Sequence, residues 1–367
     1  MTDEELYCMG CGIKIQTTDE QLPGYTPVSA LEREPLLCRR CFRLKHYNEI
    51  EDVPFNAADF AALLSQVADA DALVVAIIDI FDVAGSWISE LPRLIGKNPV
   101  LLVGNKVDLL PKSTNMTKLK MWLQRSAKGM GIHPLDVQLM SAEKNIGIDE
   151  VRERIEQLRN GRDVYIVGAT NVGKSTFINH LIRSVGASSL ITTSRFPGTT
   201  LDFIGIPLAD GKMLYDTPGL INPEQAIHFF DPSDYKKIIP SKEIKPKVYQ
   251  LNERQSLFLG GIGRVDYEGP GRRSLIVYAA PGLTIHRTKQ ERANELYDRQ
   301  YGRLLSPPSL VSEPPVLVRH DFRTKDADSD IVFAGLGWVS VKGHGARLSA
   351  YAPRAVGVSI RSSIIKG

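Results

Sequence analysis

Apolar residues in this chain come in short blocks whose spacing switches between that of buried strands and that of amphipathic helices. Apolar runs at Ala70–Ile80 (ADALVVAIIDI), Asn98–Val103 (NPVLLV), Asp136–Met140 and Asp163–Val167 (DVYIV) predict strands. Asp149–Arg159 and Ser175–Ile182 (STFINHLI) carry a helical pattern, and Leu201–Tyr215 reads as two strands joined at the hairpin turn Asp210-Gly211. Such alternation predicts an α/β core. Beyond it the pattern turns β-rich, with one helical stretch near Lys289–Tyr301 and a Pro-rich divider at Ser306–Pro315. Leu257–Gly269 (LFLGGIGRVDYEG) and Ile331–Gly343 (IVFAGLGWVSVKG) align without gaps, each reading as strand, G-x-G bend, strand. One reading of this short match is an internal duplication. The glycines read as bends rather than phosphate binders, because no helix follows them.

At 367 residues the chain is long enough for two or three domains, and 43% apolar residues suit a globular protein. The best apolar run, Ala72–Ile78, ends at Asp79, well short of the roughly 18 residues that span a bilayer. The acidic N-terminus MTDEELYC lacks the basic and apolar regions of a signal peptide, so a cytoplasmic location is expected. Charge is unevenly spread: residues 1–235 carry 23 Lys and Arg against 30 Asp and Glu, and residues 236–367 carry 22 against 12. A basic C-terminal part suits a polyanion such as RNA, although a solvated basic surface would look the same.

All four cysteines lie near the front, as Cys8-Met-Gly-Cys11 and Cys38-Arg-Arg-Cys41. Two C-x2-C pairs are what a tetrahedral four-thiolate zinc site uses, and Gly10 and Gly12 help the first turn close. Four thiolates leave no open position, so the expected role is structural. Buried free thiols, or disulfides in a secreted protein, are the alternatives. Arg39–His46 (RRCFRLKH) puts four basic residues and a Phe around the second pair, a surface that could touch nucleic acid.

Gly168–Ser175 (GATNVGKS) fits G-x-x-x-x-G-K-S between a predicted strand and a predicted helix, the context that a phosphate loop requires. Its backbone N–H groups point at phosphates, so Asn171, Val172, Gly173, Lys174, Ser175 and Thr176 are candidate nucleotide contacts. Lys174 would neutralise the β/γ oxygens and Ser175 would bind Mg²⁺. The motif does not separate ATP from GTP. Asn105-Lys-Val-Asp108 does: Asp108 can accept from the ring N–H and exocyclic amine of guanine, donors that adenine does not present together. Asn105 would tie the base-binding loops together, and the stem of Lys106 would lie along the base. Ser141-Ala142-Glu143 offers a backbone N–H at Ala142 to the guanine carbonyl. Asp216-Thr-Pro-Gly219 fits D-x-x-G: Asp216 would reach Mg²⁺ through water and the Gly219 N–H would bond a γ-phosphate. In Pro197-Gly-Thr-Thr200, Thr200 offers a hydroxyl to Mg²⁺ and the γ-phosphate.

Along the chain these pieces run NKVD, SAE, GATNVGKS, PGTT, DTPG; rotated cyclically, they take the usual GTPase order. The core therefore reads as a circular permutation, rejoined near Asn160-Gly161-Arg162. The segment after DTPG runs straight into the basic C-terminal part, which would join a γ-phosphate-sensing loop covalently to an RNA-binding region.

A four-cysteine finger, a permuted GTPase core and a basic β-rich tail together resemble the YqeH family of circularly permuted GTPases, over essentially the whole chain. The resemblance implies a zinc-finger domain at 1–52, the permuted α/β P-loop GTPase at 53–222 and a β-rich α+β domain at 223–367. It implies a factor that binds the small ribosomal subunit or its rRNA and assists its assembly, using GTP/GDP, Mg²⁺ and Zn²⁺. Leu220 stands where many GTPases carry a water-orienting Gln, so slow turnover is expected. Related GTPases with a hydrophobic residue there use a loop Asn to bind K⁺, which makes Asn171 a candidate ligand. The basic residues Arg264, Arg272, Arg273, Arg287 and Lys342 could meet phosphates, and Tyr267, Tyr278 and Trp338 could stack on bases or pack in a core. Two other classes stay open. One is a nucleic-acid-binding module that only senses GTP/GDP. The other is a metabolic P-loop enzyme, disfavoured by scattered histidines and by Asp79 and Asp82 reading as strand end and turn cap.

Overall fold

The computed structural model describes residues 6–9, 13–20, 22, 24–39, 41–43, 66–185, 192–195, 202–217, 219–309, 313–325 and 328–365. Cys11 and Thr200 lie outside them. Two compact units form: one holds Met1–Ile80, Ser86–Val107 and Lys120–Asn222, the other Phe81–Gly85, Asp108–Leu119 and Pro223–Gly367.

The first unit is built on a seven-stranded sheet. Its strands are β1 (Ala72–Asp79), β2 (Val100–Asn105), β3 (Asp136–Leu139), β4 (Asp163–Val167), β5 (Thr192–Arg195), β6 (Asp202–Pro207) and β7 (Met213–Asp216), in the order β3-β2-β1-β4-β7-β6-β5. The first five in that order run parallel, and β6 runs antiparallel to β7 and to β5. β1 and β2 are buried along almost their whole length, which explains why they read as unbroken apolar runs instead of alternating ones. Helix α1 spans Met116–Gly129, α2 spans Ile148–Arg159 and α3 spans Lys174–Val185. α2 buries Ile148, Val151 and Ile155 on one face. It ends at Asn160, and the left-handed backbone of Asn160 (φ 46°) and Gly161 (φ 72°) turns the chain sharply into β4. The buried Arg159 guanidinium bonds Asp210 in the β6–β7 turn at 2.7 Å, tying that turn to the end of α2.

The second unit carries two five-stranded sheets. Its strands are β8 (Lys247–Leu251), β9 (Gln255–Leu259), β10 (Gly263–Tyr267), β11 (Arg273–Ala279), β12 (Ile285–Lys289), β13 (Leu317–Arg323), β14 (Asp328–Phe333), β15 (Gly337–Lys342), β16 (Arg347–Pro353) and β17 (Val358–Ser362). One sheet has the order β12-β9-β10-β16-β13 and the other β17-β14-β15-β11-β8. Replacing β8–β12 by β13–β17, strand for strand, converts the first order into the second. The two gapless segments are the hairpins β9–β10 and β14–β15, closed at Leu259↔Gly263 and Phe333↔Gly337. These ten strands are thus a duplicated five-strand set in which each copy lends two strands to the other's sheet. One apolar core takes side chains from both sheets, among them Leu257, Val265, Val277, Phe333, Val339 and Leu348.

The helical stretch is α4 (Ala293–Gln300), whose Ala293 and Tyr297 pack with Phe258 of one sheet. The other sheet stacks Tyr278 on Trp338 (4.9 Å between ring centroids), with Phe81 against the same indole at 5.7 Å. Trp338 and Tyr267 are fully buried and Tyr278 is 5% exposed, so core packing accounts for all three aromatics. Arg264 is corrected as a phosphate contact. It is 4% exposed, ion-paired with Asp266, bonded to Asn294 at 2.6 Å and stacked over Tyr351.

Strand exchange makes each sheet depend on both copies. Truncation after Lys289 is expected to abolish amide-exchange protection in β9 and β10 as well as removing β13–β17; protection that persisted there would show that the first copy folds without its partner strands.

Candidate nucleotide site

The carboxyl ends of the five parallel strands share one edge of the sheet, where open α/β folds bind ligands. The motif-bearing segments leave that edge. NKVD closes β2, Ser141-Ala142 follows β3, the phosphate loop joins β4 to α3, and Asp216 closes β7.

Asn105 holds the arrangement together. Its Nδ2 donates to the Val172 carbonyl in the phosphate loop at 2.7 Å, and its Oδ1 accepts from the Ala142 N–H at 2.9 Å. The side chain is 1% exposed, so both bonds are shielded from competing water. Lys106 has φ 67°, and its Nζ bonds the Asp79 carboxylate, the last residue of β1, at 2.7 Å. Asp79 is itself anchored by its N–H to Ser86 Oγ at 3.1 Å. Asp108 is half-buried in the 3₁₀ turn Val107–Leu109. Ser141 is fully buried, and its Oγ accepts from the Lys144 N–H at 3.1 Å.

The phosphate loop is shaped by close backbone approaches. A Cβ on Gly173 (φ 92°) would stand 2.3 Å from Asn105 Nδ2, and one on Gly168 2.4 Å from the Ile77 carbonyl. Asn171 also adopts the left-handed region, at φ 61°. Lys174, fully buried, reaches the Ala169 carbonyl at 3.4 Å. The D-x-x-G loop lies along the phosphate loop: Thr170 N donates to Leu220 O at 2.8 Å and Leu220 N to Gly168 O at 3.2 Å. A Cβ on Gly219 would approach Lys174 Nζ to 3.2 Å, so the glycine leaves room beside the ammonium. Ser175 (8% exposed) and Asp216 (1%) supply the hydroxyl and carboxylate that suit Mg²⁺, a hard cation with oxygen ligands. Val172 is fully buried in the loop and Thr176 follows Ser175 in the first turn of α3.

A family model described as "50S ribosome-binding GTPase" matches residues 163–251, and one described as "YqeH-like, C-terminal" matches 272–364. The YqeH protein of Bacillus subtilis is 52% identical over 99% of this chain and 100% of its own length. This chain belongs to the YqeH family. It is a GTPase, built on a circularly permuted core with a β-rich C-terminal part. The NO-associated protein 1, chloroplastic/mitochondrial, of Arabidopsis thaliana is 30% identical over 91% of this chain and 69% of its own. The small ribosomal subunit biogenesis GTPase RsgA of Prochlorococcus marinus is 31% identical over 38% of this chain and 41% of its own. YjeQ from Thermotoga maritima superposes with TM-score 0.29 at 22% identity, covering 41% of this chain and 48% of that one.

Two further regions of this YqeH-family GTPase were singled out by sequence. Cys8, Cys38 and Cys41 are buried together, with sulfurs within 4.8 Å of one another and the Cys38 N–H directed at Cys8 Sγ at 3.1 Å. Thiolates around one zinc at 2.3 Å stand about 3.8 Å apart, so the cluster could hold that ion. In the β-rich part, Arg272 and Arg287 are exposed, Arg273 donates to the Lys342 carbonyl at 2.9 Å, and Lys342 pairs with Asp328 at 2.9 Å. Among the described residues no helix is long and apolar enough to cross a membrane.

Sequence reasoning missed the Asp79–Lys106 pair, although Asp79 was legible as the end of a strand beside the one carrying NKVD. Removing its carboxylate frees the Lys106 ammonium. Asp79→Ala is expected to weaken GDP and GTP equally, by roughly tenfold for one charge-assisted bond. Titration with fluorescent guanine nucleotides measures this, and unchanged affinity would assign the pair to scaffolding.

Proposed function

We propose that this GTPase is a cytoplasmic switch that binds ribosomal RNA or the small ribosomal subunit and assists its assembly. The observation that carries the reading is the Asn105 amide clamp between the phosphate loop and Ala142, in a chain whose residues 236–367 carry 22 Lys and Arg against 12 Asp and Glu. The resemblance to RsgA, named as a small ribosomal subunit biogenesis GTPase, supports it. The domain division is a finger at 1–52, the permuted core at 53–222 and an RNA- or ribosome-binding domain at 223–367.

Within the core, Asp108 reads guanine by accepting from its ring N–H and exocyclic amine. The Ala142 N–H serves the carbonyl of the base, and Asn105 and Lys106 position the loops around it. Asn171, Val172, Gly173, Ser175 and Thr176 wrap the phosphates, largely by backbone N–H groups. Lys174 and the Gly219 N–H stabilise charge building on the transferring phosphoryl group. Ser175, Thr200 and Asp216 hold Mg²⁺, which when bound neutralises phosphate charge. Leu220, 4% exposed, has no group with which to orient water, so intrinsic turnover is slow. Asn171, in the phosphate loop, helps hold K⁺, a source of positive charge at the transition state. Cys8, Cys11, Cys38 and Cys41 hold a structural Zn²⁺.

Three measurements test the reading. Hydrolysis is expected to run several-fold faster in potassium than in sodium buffer, and Asn171→Ala to remove the difference; equal rates in wild type would end the potassium assignment. One zinc per chain is expected by metal analysis, and chelation should unfold the finger. Co-sedimentation with purified small and large subunits, in GDP or a non-hydrolysable GTP analogue across a salt series, tests the partner. Nucleotide-dependent binding to the small subunit is expected. Nucleotide-independent binding favours a sensor module, and absence of binding at low salt overturns the ribosomal reading.

A further inference from the structure

The division of the fold into two units runs through the NKVD motif itself. Asn105, Lys106 and Val107 belong to the first unit, whereas Asp108 opens the stretch Asp108–Leu119, which belongs to the second. On the first-unit side, the Val107 N–H donates to the Met140 carbonyl at 3.2 Å, beside the Asn105 amide bonds. Among the described residues the Asp108 carboxylate accepts no hydrogen bond, so the backbone on which it stands sets its position.

That backbone is pinned from a distant part of the chain. The Ile244 N–H donates to the Leu109 carbonyl at 2.8 Å, and the Glu243 carboxylate accepts from the Lys112 N–H at 2.9 Å. Two consecutive residues thus hold two points of the turn that follows Asp108, which limits its rotation as well as its displacement. Leu109, Leu110 and Ile244 are buried, so the first bond is shielded from competing water. The second uses a carboxylate, which makes it the stronger kind of hydrogen bond. Glu243 and Ile244 lie between the D-x-x-G loop and β8 and belong to no nucleotide motif, so the sequence alone does not point to them.

A carboxylate that selects guanine must meet the ring N–H and the exocyclic amine together, and such a contact tolerates little displacement. We infer that Glu243 is a positioning residue for guanine recognition. Its bond to the Lys112 N–H, with that of Ile244 to Leu109, holds the turn so that Asp108 meets both donors of the base. The inference rests on the reading of Asp108 as the guanine selector. Glu243 acts only through this turn, so it governs choice of base and leaves the phosphate chemistry alone.

Hypoxanthine presents the same ring N–H as guanine but lacks the exocyclic amine. The preference for guanosine over inosine diphosphate therefore reports how well Asp108 is placed. The test uses the full-length protein, with both unlabelled diphosphates competing against ribose-labelled guanosine diphosphate. Glu243→Ala is expected to weaken guanosine diphosphate by roughly tenfold and inosine diphosphate by less, with kcat at saturating GTP unchanged. Glu243→Gln keeps an oxygen for the Lys112 N–H and is expected to retain most of the preference. Asp108→Ala, run beside them, is expected to lower it furthest. If Asp108→Ala lowers the preference but Glu243→Ala leaves it as in wild type, or weakens both nucleotides equally, the positioning role is overturned and the guanine reading stands. Glu243→Gln that behaves as the alanine variant overturns that role too. A preference unchanged by Asp108→Ala overturns the guanine reading and the inference with it.

Discussion

The nucleotide site depends on one buried amide. Asn105 is the last residue of β2, yet its side chain bonds a carbonyl that follows β4 and an N–H that follows β3. Neither partner is near it in the chain, so what the site requires is three strand ends on one sheet edge, in any order of connection. That requirement explains why permutation is tolerated. β4, which leads into the phosphate loop, lies between β1 and β7, and these belong to opposite sides of the cut in chain order. The new join costs only a tight turn. Asn and Gly are the residues that enter the left-handed region most cheaply, and they stand at 160 and 161.

Loop spacing is enforced by sterics as much as by hydrogen bonds. At Gly173 a Cβ would displace the Asn105 amide, and at Gly219 it would crowd the Lys174 ammonium. These glycines let the loop approach Asn105 and the buried Lys174 closely. The same logic gives Asp79 its place: a carboxylate at the end of β1 fixes Lys106, whose backbone is already in a strained region at φ 67°.

Much of the α/β part was legible because its signals are local. β1, β2 and β4 are apolar runs, NKVD, Ser141-Ala142, the phosphate loop and Asp216 sit at strand ends, and the turn Asp210-Gly211 is where its chemistry puts it, whereas the polar β5 (TTSR) carries no such signal. The C-terminal topology was not legible, for a physical reason. Alternation and G-x-G spacing identify the hairpins β9–β10 and β14–β15, but pairing of β10 with β16, or of β15 with β11, is decided by contacts distant in sequence. Arginine was the other blind spot. Arg264 looks like a phosphate ligand by composition, yet it follows Gly263 on a strand buried on both faces, where Asp266, Asn294 and the Tyr351 ring make its charge tolerable.

The duplication places different chemistry at equivalent points of its two copies. Arg264 follows Gly263 directly, as Trp338 follows Gly337, and each is sandwiched by aromatic and charged neighbours. In the second copy the cation comes from Arg361, which lies over the Trp338 ring at 5.3 Å and bonds Asp330 at 3.4 Å. Burial pushes the Arg361 guanidinium below its ordinary range, and the carboxylates of Asp330 and Asp82 offset part of that cost. Replacing one member of such a set leaves a buried charge without its counterpart, which is worse than replacing all of them. The two copies therefore cannot exchange these residues singly.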